Sequence, residues 1–181
     1  MFRVISKFIY FKLLGWKISG FKDFNSVKKA VIIAVPHTSW HDFYIGVLLR
    51  SVIDIKANFI GKESLFNPLT GWIFKALGGY PVIRKNNEKQ VDAIARLFKD
   101  KNEFRIAIAP EGTRKKVEKW KTGFYYIAKK ANVPIVMFTL DFANKENKFS
   151  EPFYPTEDTD SDFKFMTSFF EGINGKVPSY S

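Results

Sequence analysis

Apolar residues along this chain gather in short runs separated by polar, glycine- and proline-bearing turns. Strands are expected near 57–61, 80–84, 104–109 and 134–142, where apolar residues predominate, and Ala30-Val31-Ile32-Ile33-Ala34-Val35 is an unbroken apolar run of strand length. Such a run, bounded by turn residues, predicts a buried strand. The stretches 40–51, 68–77, 87–100 and 122–131 have helical character. Strands alternating with helices of about 10–15 residues predict an α/β sheet with parallel pairs. A late strand is expected near 148–154, entered from a turn at Lys145-Glu146-Asn147, and a helix near 161–172. Residues 2–16 predict an N-terminal helix. At about 100° per residue, Phe2, Ile5, Ile9, Leu13 and Trp16 gather opposite Arg3, Lys7 and Lys17, with Lys12 elsewhere. Residues 1–19 are therefore expected to be an amphipathic helix that docks on an anionic bilayer. The same face also suits packing on the protein's own sheet.

The chain shows no repeat, low-complexity tract or linker, and 181 residues predict a single domain over 1–181. The aromatic share is high at 17%, with 20 Phe. That suits a bulky core, an apolar ligand or a lipid-facing surface. The net charge of +11 is uneven. Residues 1–145 carry 26 basic and 11 acidic side chains (+15), whereas residues 146–181 carry 3 and 7 (−4). A basic body attracts anions such as nucleic acid, anionic lipid or a phosphate-rich cofactor. There is no cysteine, which excludes disulfides, thiolate metal sites and a cysteine nucleophile. Arg3, Lys7, Lys12 and Lys17 interrupt any signal-peptide core. No apolar run approaches the ~18–20 residues needed to span a bilayer. The expectation is a cytoplasmic protein, peripheral on the inner face of the cell membrane.

His37-Thr38-Ser39-Trp40-His41-Asp42 follows the run 30–35 directly. Strand ends are where open α/β sheets place their chemistry. A histidine held by a carboxylate is a general base suited to neutral pH. Asp42 also fits a capping box with Ser39. The two readings are compatible, with one carboxylate oxygen for the backbone and the other for the His37 ring. His37 and His41 are four apart, a spacing that metal ligands use, but these are the only histidines and a metal would need a carboxylate besides. Pro110-Glu111-Gly112-Thr113-Arg114 follows the run 104–109: Gly112 allows close backbone approach, and Arg114 offers a fork for phosphate oxygens. Gly61-Lys62 and Gly78-Gly79-Tyr80-Pro81-Val82-Ile83-Arg84 each set a basic residue beside an expected strand end.

These blocks, in this order and followed by Val133-Pro134-Ile135-Val136, resemble the glycerophospholipid acyltransferase family, which includes the lysophosphatidic acid acyltransferases. The resemblance covers roughly residues 30–140. His37 to Asp42 is similar to the family's HxxxxD block, Glu111 to Arg114 matches its EGTR block letter for letter, and Gly79 to Arg84 resembles its block ending in arginine. Ile83 departs from the pattern, since many relatives have an aspartate there.

The resemblance implies a glycerolphosphate-acyltransferase-like fold, a mixed, mostly parallel sheet flanked by helices. It implies transfer of a fatty acyl group from acyl-CoA or acyl carrier protein to a lysolipid hydroxyl, lysophosphatidic acid first. His37 and Asp42 would be catalytic. Lys62, Arg84, Glu111, Gly112, Thr113 and Arg114 would serve the acceptor's phosphate or another anionic group. No bound cofactor, metal or nucleic acid is implied. A hydroxylated N-acyl amino-acid lipid is the alternative acceptor. A metal-dependent hydrolase using His37 and His41, and a non-catalytic binder of anionic membrane, are the alternatives of other classes.

Overall fold

A computed structural model of the chain describes residues 2–83 and 88–181. The chain opens with α1 (Phe2–Lys7), continued by a π-helical stretch over Phe8–Leu13. There follow β1 (Lys17–Gly20), β2 (Lys29–Val35), α2 (His41–Val52), β3 (Ala57–Lys62), a 3-10 turn (Glu63–Phe66), α3 (Gly71–Ala76) and β4 (Gly79–Val82). Then come α4 (Gln90–Leu97), β5 (Phe104–Ile108), α5 (Gly123–Ala131), β6 (Ile135–Thr139), β7 (Glu146–Phe149), α6 (Thr159–Ser168) and a closing 3-10 turn (Pro178–Tyr180). Among the described residues seven strands form one sheet in the order β1-β7-β6-β2-β5-β3-β4. β2 pairs in parallel with β5 and β6, β3 with β4 and β5, and β1 with β7; β6 and β7 are antiparallel. The expected mixed, mostly parallel α/β sheet is present, with β1 and β7 running against the rest.

The unbroken apolar run of β2 has a direct cause. Successive side chains leave opposite faces of a strand, and both faces of this sheet are covered. Val31, Ile33 and Val35 pack with Ile94, Phe98, Phe124, Ile127 and Met166 from α4, its following turn, α5 and α6. Ala30 and Ile32 pack with Tyr10, Trp16, Ile45, Leu49 and Val52 from the N-terminal segment and α2. Each fully buried side chain of this size contributes about 1.5–3 kcal/mol. The parallel pairing brings the C-terminal ends of β2, β5 and β3 to one edge of the sheet.

The N-terminal segment departs from the expected helix. Helical structure ends at Leu13; Gly15 takes a φ of 70°, and the Trp16 amide donates to Tyr10 O at 3.0 Å. Lys17 then enters the sheet as β1, an element absent from the sequence reading. Tyr10 and Trp16 are buried, while Phe2, Ile5, Phe8 and Leu13 stand exposed. The inward side is therefore set by the i, i+4 pair Ser6 and Tyr10, and Trp16 lies in the core rather than on an outward apolar face. The late strand also lies earlier than expected, at Glu146–Phe149; Phe153 keeps only an isolated bridge to Ile135. No helix among the described residues is long and apolar enough to cross a membrane.

Candidate active site

β2 delivers the chain to His37, and α2 begins at His41. Between them the loop folds back on the first turn of α2, because one carboxylate gathers it. Asp42 Oδ2 accepts from the Thr38 amide and the Ser39 amide, each at 2.9 Å, and lies 2.9 Å from His37 Nδ1. The expected division, one oxygen for the backbone and one for the ring, is not what forms. All three partners converge on Oδ2, and Oδ1 is buried with no hydrogen-bond partner among the described residues. The anion gains from these charge-assisted bonds and from its place at the N-terminus of the 12-residue α2. With Nδ1 held, His37 Nε2 is the nitrogen left to act.

His41 turns to other company. Its Nδ1 lies 2.8 Å from Ser39 Oγ, and its ring packs on Trp40 and Tyr44 at 4.2 and 5.5 Å between centroids. Among the described residues no group of three or more His, Cys, Asp or Glu is arranged to hold a metal.

The segment after β5 meets this loop. Glu111 is buried, and its carboxylate accepts the His37 amide at 3.0 and 3.2 Å. It thus fastens the backbone of His37 rather than its ring. Burial, opposed by that hydrogen bond and the charge of His37, lifts the Glu111 carboxyl from 4.5 to about 6. Glu111 also lines a small cavity of about 140 Å³ with Val35, Pro36, Trp120 and Phe170, bordered as well by Lys116 and Ser181. Gly112 takes φ 66°, and a Cβ there would lie 2.6 Å from Lys121 Nζ. The left-handed backbone favours glycine, and a side chain there would also push the end of Lys121 aside. An open groove of about 740 Å³ runs between His37, Thr38, Ser39 and Trp40 on one side and Gly112, Thr113, Arg114 and Lys115 on the other. Arg114 is exposed to this groove's solvent.

The structure therefore brings His37, Asp42, Glu111, Gly112, Thr113 and Arg114 to one sheet end. Lys62 closes β3 at the same end, but its side chain falls outside what is described, and Arg84 lies outside the described residues. The sequence reading missed the C-terminal tail. The Val177 amide donates to Thr38 Oγ1 at 3.2 Å, Gly175 packs against Thr38, and Tyr180 lines the groove. No local pattern signals this; only the buried Thr38, next to the histidine, needed a distant donor.

A histidine oriented by a carboxylate at the rim of an open groove, facing a basic wall, can take a proton from a bound hydroxyl. On an α/β sheet, such a site suits transfer of a group to a hydroxyl, or hydrolysis. The Acyltransferase family model matches residues 17–140, and the chain belongs to that family. It is 30% identical over 128 residues to a chloroplastic 1-acyl-sn-glycerol-3-phosphate acyltransferase of Brassica napus, covering 68% of this chain and 36% of the relative. It is 28% identical over 141 residues to a chloroplastic enzyme of the same name from Arabidopsis thaliana, covering 75% and 38%. The chain thus matches little more than a third of the length of these relatives. The crystal structure of the 1-acyl-sn-glycerophosphate (LPA) acyltransferase PlsC from Thermotoga maritima shares the fold, with a TM-score of 0.59 and 19% identity over 93% of this chain and 74% of that one.

Proposed function

We propose that this chain transfers a fatty acyl group from an acyl thioester, on coenzyme A or acyl carrier protein, to a hydroxyl of lysophosphatidic acid. The observation that carries the reading is the His37 Nδ1–Asp42 pair beside the groove walled by Arg114. An alcohol of pKa near 15 cannot attack a thioester without losing its proton. His37 Nε2 takes that proton as the hydroxyl oxygen bonds to the thioester carbon. The carbon–sulfur bond then breaks, and the imidazolium returns the proton to the leaving thiolate. Asp42 holds the tautomer and favours the imidazolium formed midway. No enzyme nucleophile is required. Arg114 and Lys115 supply a fork and a point charge for the acceptor's phosphate. Glu111 fixes the His37 backbone.

The names of the Brassica and Arabidopsis relatives support a 1-acyl-glycerol-3-phosphate acceptor. The exposed side chains of α1 and its π-helical continuation, with Arg3, Lys7 and Lys12, suit docking on the inner face of an anionic cell membrane. The deciding experiment incubates the protein with acyl-CoA or acyl carrier protein and a panel of acceptors, and identifies products by mass spectrometry. Phosphatidic acid, formed by the parent and not by His37→Ala, is the expected result. Thioester hydrolysis that ignores acceptor, or product only from a hydroxylated N-acyl amino-acid lipid, would overturn the acceptor assignment.

A further inference from the structure

Between β3 and β4 the chain carries a group of large apolar side chains that the chemistry above does not use. Leu65, Leu69, Trp72 and Ile73 are all exposed, Leu69 to 84% and Trp72 to 69%. This shoulder is built rather than loose. Asn67 Oδ1 accepts the amides of Leu69 and Thr70 at 2.9 and 3.0 Å, and Thr70 Oγ1 donates to Leu65 O at 3.0 Å. Phe66 is its root: a Cβ on Gly61 or Gly71 would lie 2.9 or 2.8 Å from Phe66 atoms. One apolar side chain thus points inward and four point out. Trp72 Nε1 donates to Leu69 O at 3.2 Å. Its ring can therefore leave water without an unpaired donor, which is what an apolar phase demands of a tryptophan.

The position of the shoulder matters as much as its composition. Leu65 and Leu69 follow the C-terminal end of β3, the sheet end where β2 delivers His37, and only β5 separates the two strands. Trp40 and Phe43, at the start of α2, are also exposed, and Phe43 packs edge-on against Phe59 of β3. Arg50 of α2 donates to the carbonyls of Ala76 and Leu77, so α3 lies beside α2. On the other side of α2 lies the π-helical stretch, whose Tyr10 bonds Asn147 of β7. Four strand spacings separate β7 from β3, placing the two apolar groups roughly 20 Å apart on one layer. Arg3, Lys7, Lys12, Lys56 and Lys75 flank them; the acids among the same elements are Asp54, paired with Arg3, and Glu63, besides the buried Asp42. Two exposed apolar groups on one layer with basic neighbours fit an anionic bilayer.

We infer that residues 65–73 are a second membrane anchor, entering the bilayer interface alongside the N-terminal helix; this rests on the lipid-acceptor reading above. One helix lying in an interface can roll about its axis. A second point of entry fixes the molecule and holds the mouth of the groove at headgroup depth.

The chain has no cysteine, so Leu69→Cys creates a single labelling site. Tyr154→Cys, beside α5 on the opposite layer and 58% exposed, is the control. Each variant carries a polarity-sensitive fluorophore and is mixed with phosphatidylcholine vesicles containing phosphatidylglycerol. The Leu69 probe should shift to the blue and be quenched by brominated lipid, and the Tyr154 probe should do neither. In the full chain, Leu69→Glu with Trp72→Glu should weaken vesicle partitioning by about tenfold or more. Its circular dichroism should be unchanged, and transfer to an acceptor in detergent micelles should persist. A Leu69 probe that stays in water while the protein co-sediments with vesicles overturns the anchor. So does a shift produced by acyl thioester alone, which would give the shoulder to the acyl chain. A protein that inserts Leu69 yet transfers nothing refutes the enzymatic reading and leaves the anchor standing.

Discussion

Glu111 should make folding stability fall as pH rises through the weakly acidic range. Its carboxyl is lifted from 4.5 to about 6, chiefly by burial. Below about 4.5 it is protonated in both folded and unfolded chains and contributes no pH dependence. Between about 4.5 and 6 the folded chain retains a proton that the unfolded chain has released. Stability is lost across that window and the loss is complete above it. About 1.5 units at 1.36 kcal/mol each makes the loss about 2 kcal/mol. Glu111→Gln removes the titration but keeps an oxygen that can accept the His37 amide. Urea denaturation of parent and variant at pH 4.5, 5.5 and 7 isolates the effect, because the other titrating groups cancel in the difference. That difference should tilt by about 2 kcal/mol in favour of the variant between the lowest and highest pH. Parallel profiles would refute the reasoning. A tilt the other way would mean that the two contacts to the His37 amide outweigh the cost of burying the charge. Acyl transfer by the variant should stay within about tenfold of the parent, since only the charge on one hydrogen-bond acceptor is lost.

His37→Ala should cut acyl transfer by about 10²–10⁴-fold with an unchanged thermal melt, because the residue sits on a loop at the sheet rim. Asp42→Ala strands the Thr38 and Ser39 amides and should cost about 3–5 kcal/mol by urea denaturation, besides the loss of activity. Arg114→Lys should raise KM for phosphate-bearing acceptors and spare neutral ones in steady-state assays; equal damage to both would make the residue structural or donor-binding. Deleting residues 1–19 removes most of β1 together with the buried Tyr10 and Trp16. The remainder should fail to fold by circular dichroism, and a folded remainder would show that the N-terminal segment is dispensable to the core.

What could be read from the sequence follows the strength of the local signal. β2 is a continuous apolar run, β3 and β5 are mostly apolar with Asn58 and Arg105 inside them, and their positions come close to the expected 30–35, 57–61 and 104–109. The HxxxxD and EGTR blocks were legible as chemistry because each sits at such a strand end. β1 was not legible: Lys17-Ile18-Ser19-Gly20 has one large apolar residue, and the helical pattern before it runs straight through Trp16. It is a strand only because β7, far along the chain, offers it an edge. The use of a single Asp42 oxygen depends on how the loop closes, and the attachment of Glu111 to the His37 amide depends on two strands meeting. The clamp of Val177 on Thr38 joins positions that no local window contains.

Lys17 pairs with Glu146, so the sheet edge that begins near the N-terminus waits for a partner 129 residues later (146 − 17). At about 5–20 residues per second of synthesis, that wait is on the order of ten seconds. Through it, β1 has no neighbour, and Tyr10 and Trp16 have no complete core to enter. The Phe-rich leading segment therefore leaves the ribosome as an unsatisfied amphipathic peptide, well before the domain behind it can close. A nearby bilayer would offer it an apolar phase. If the membrane docking proposed above holds, capture during synthesis would precede folding, and the sheet would complete itself on a chain whose outer layer already faces lipid.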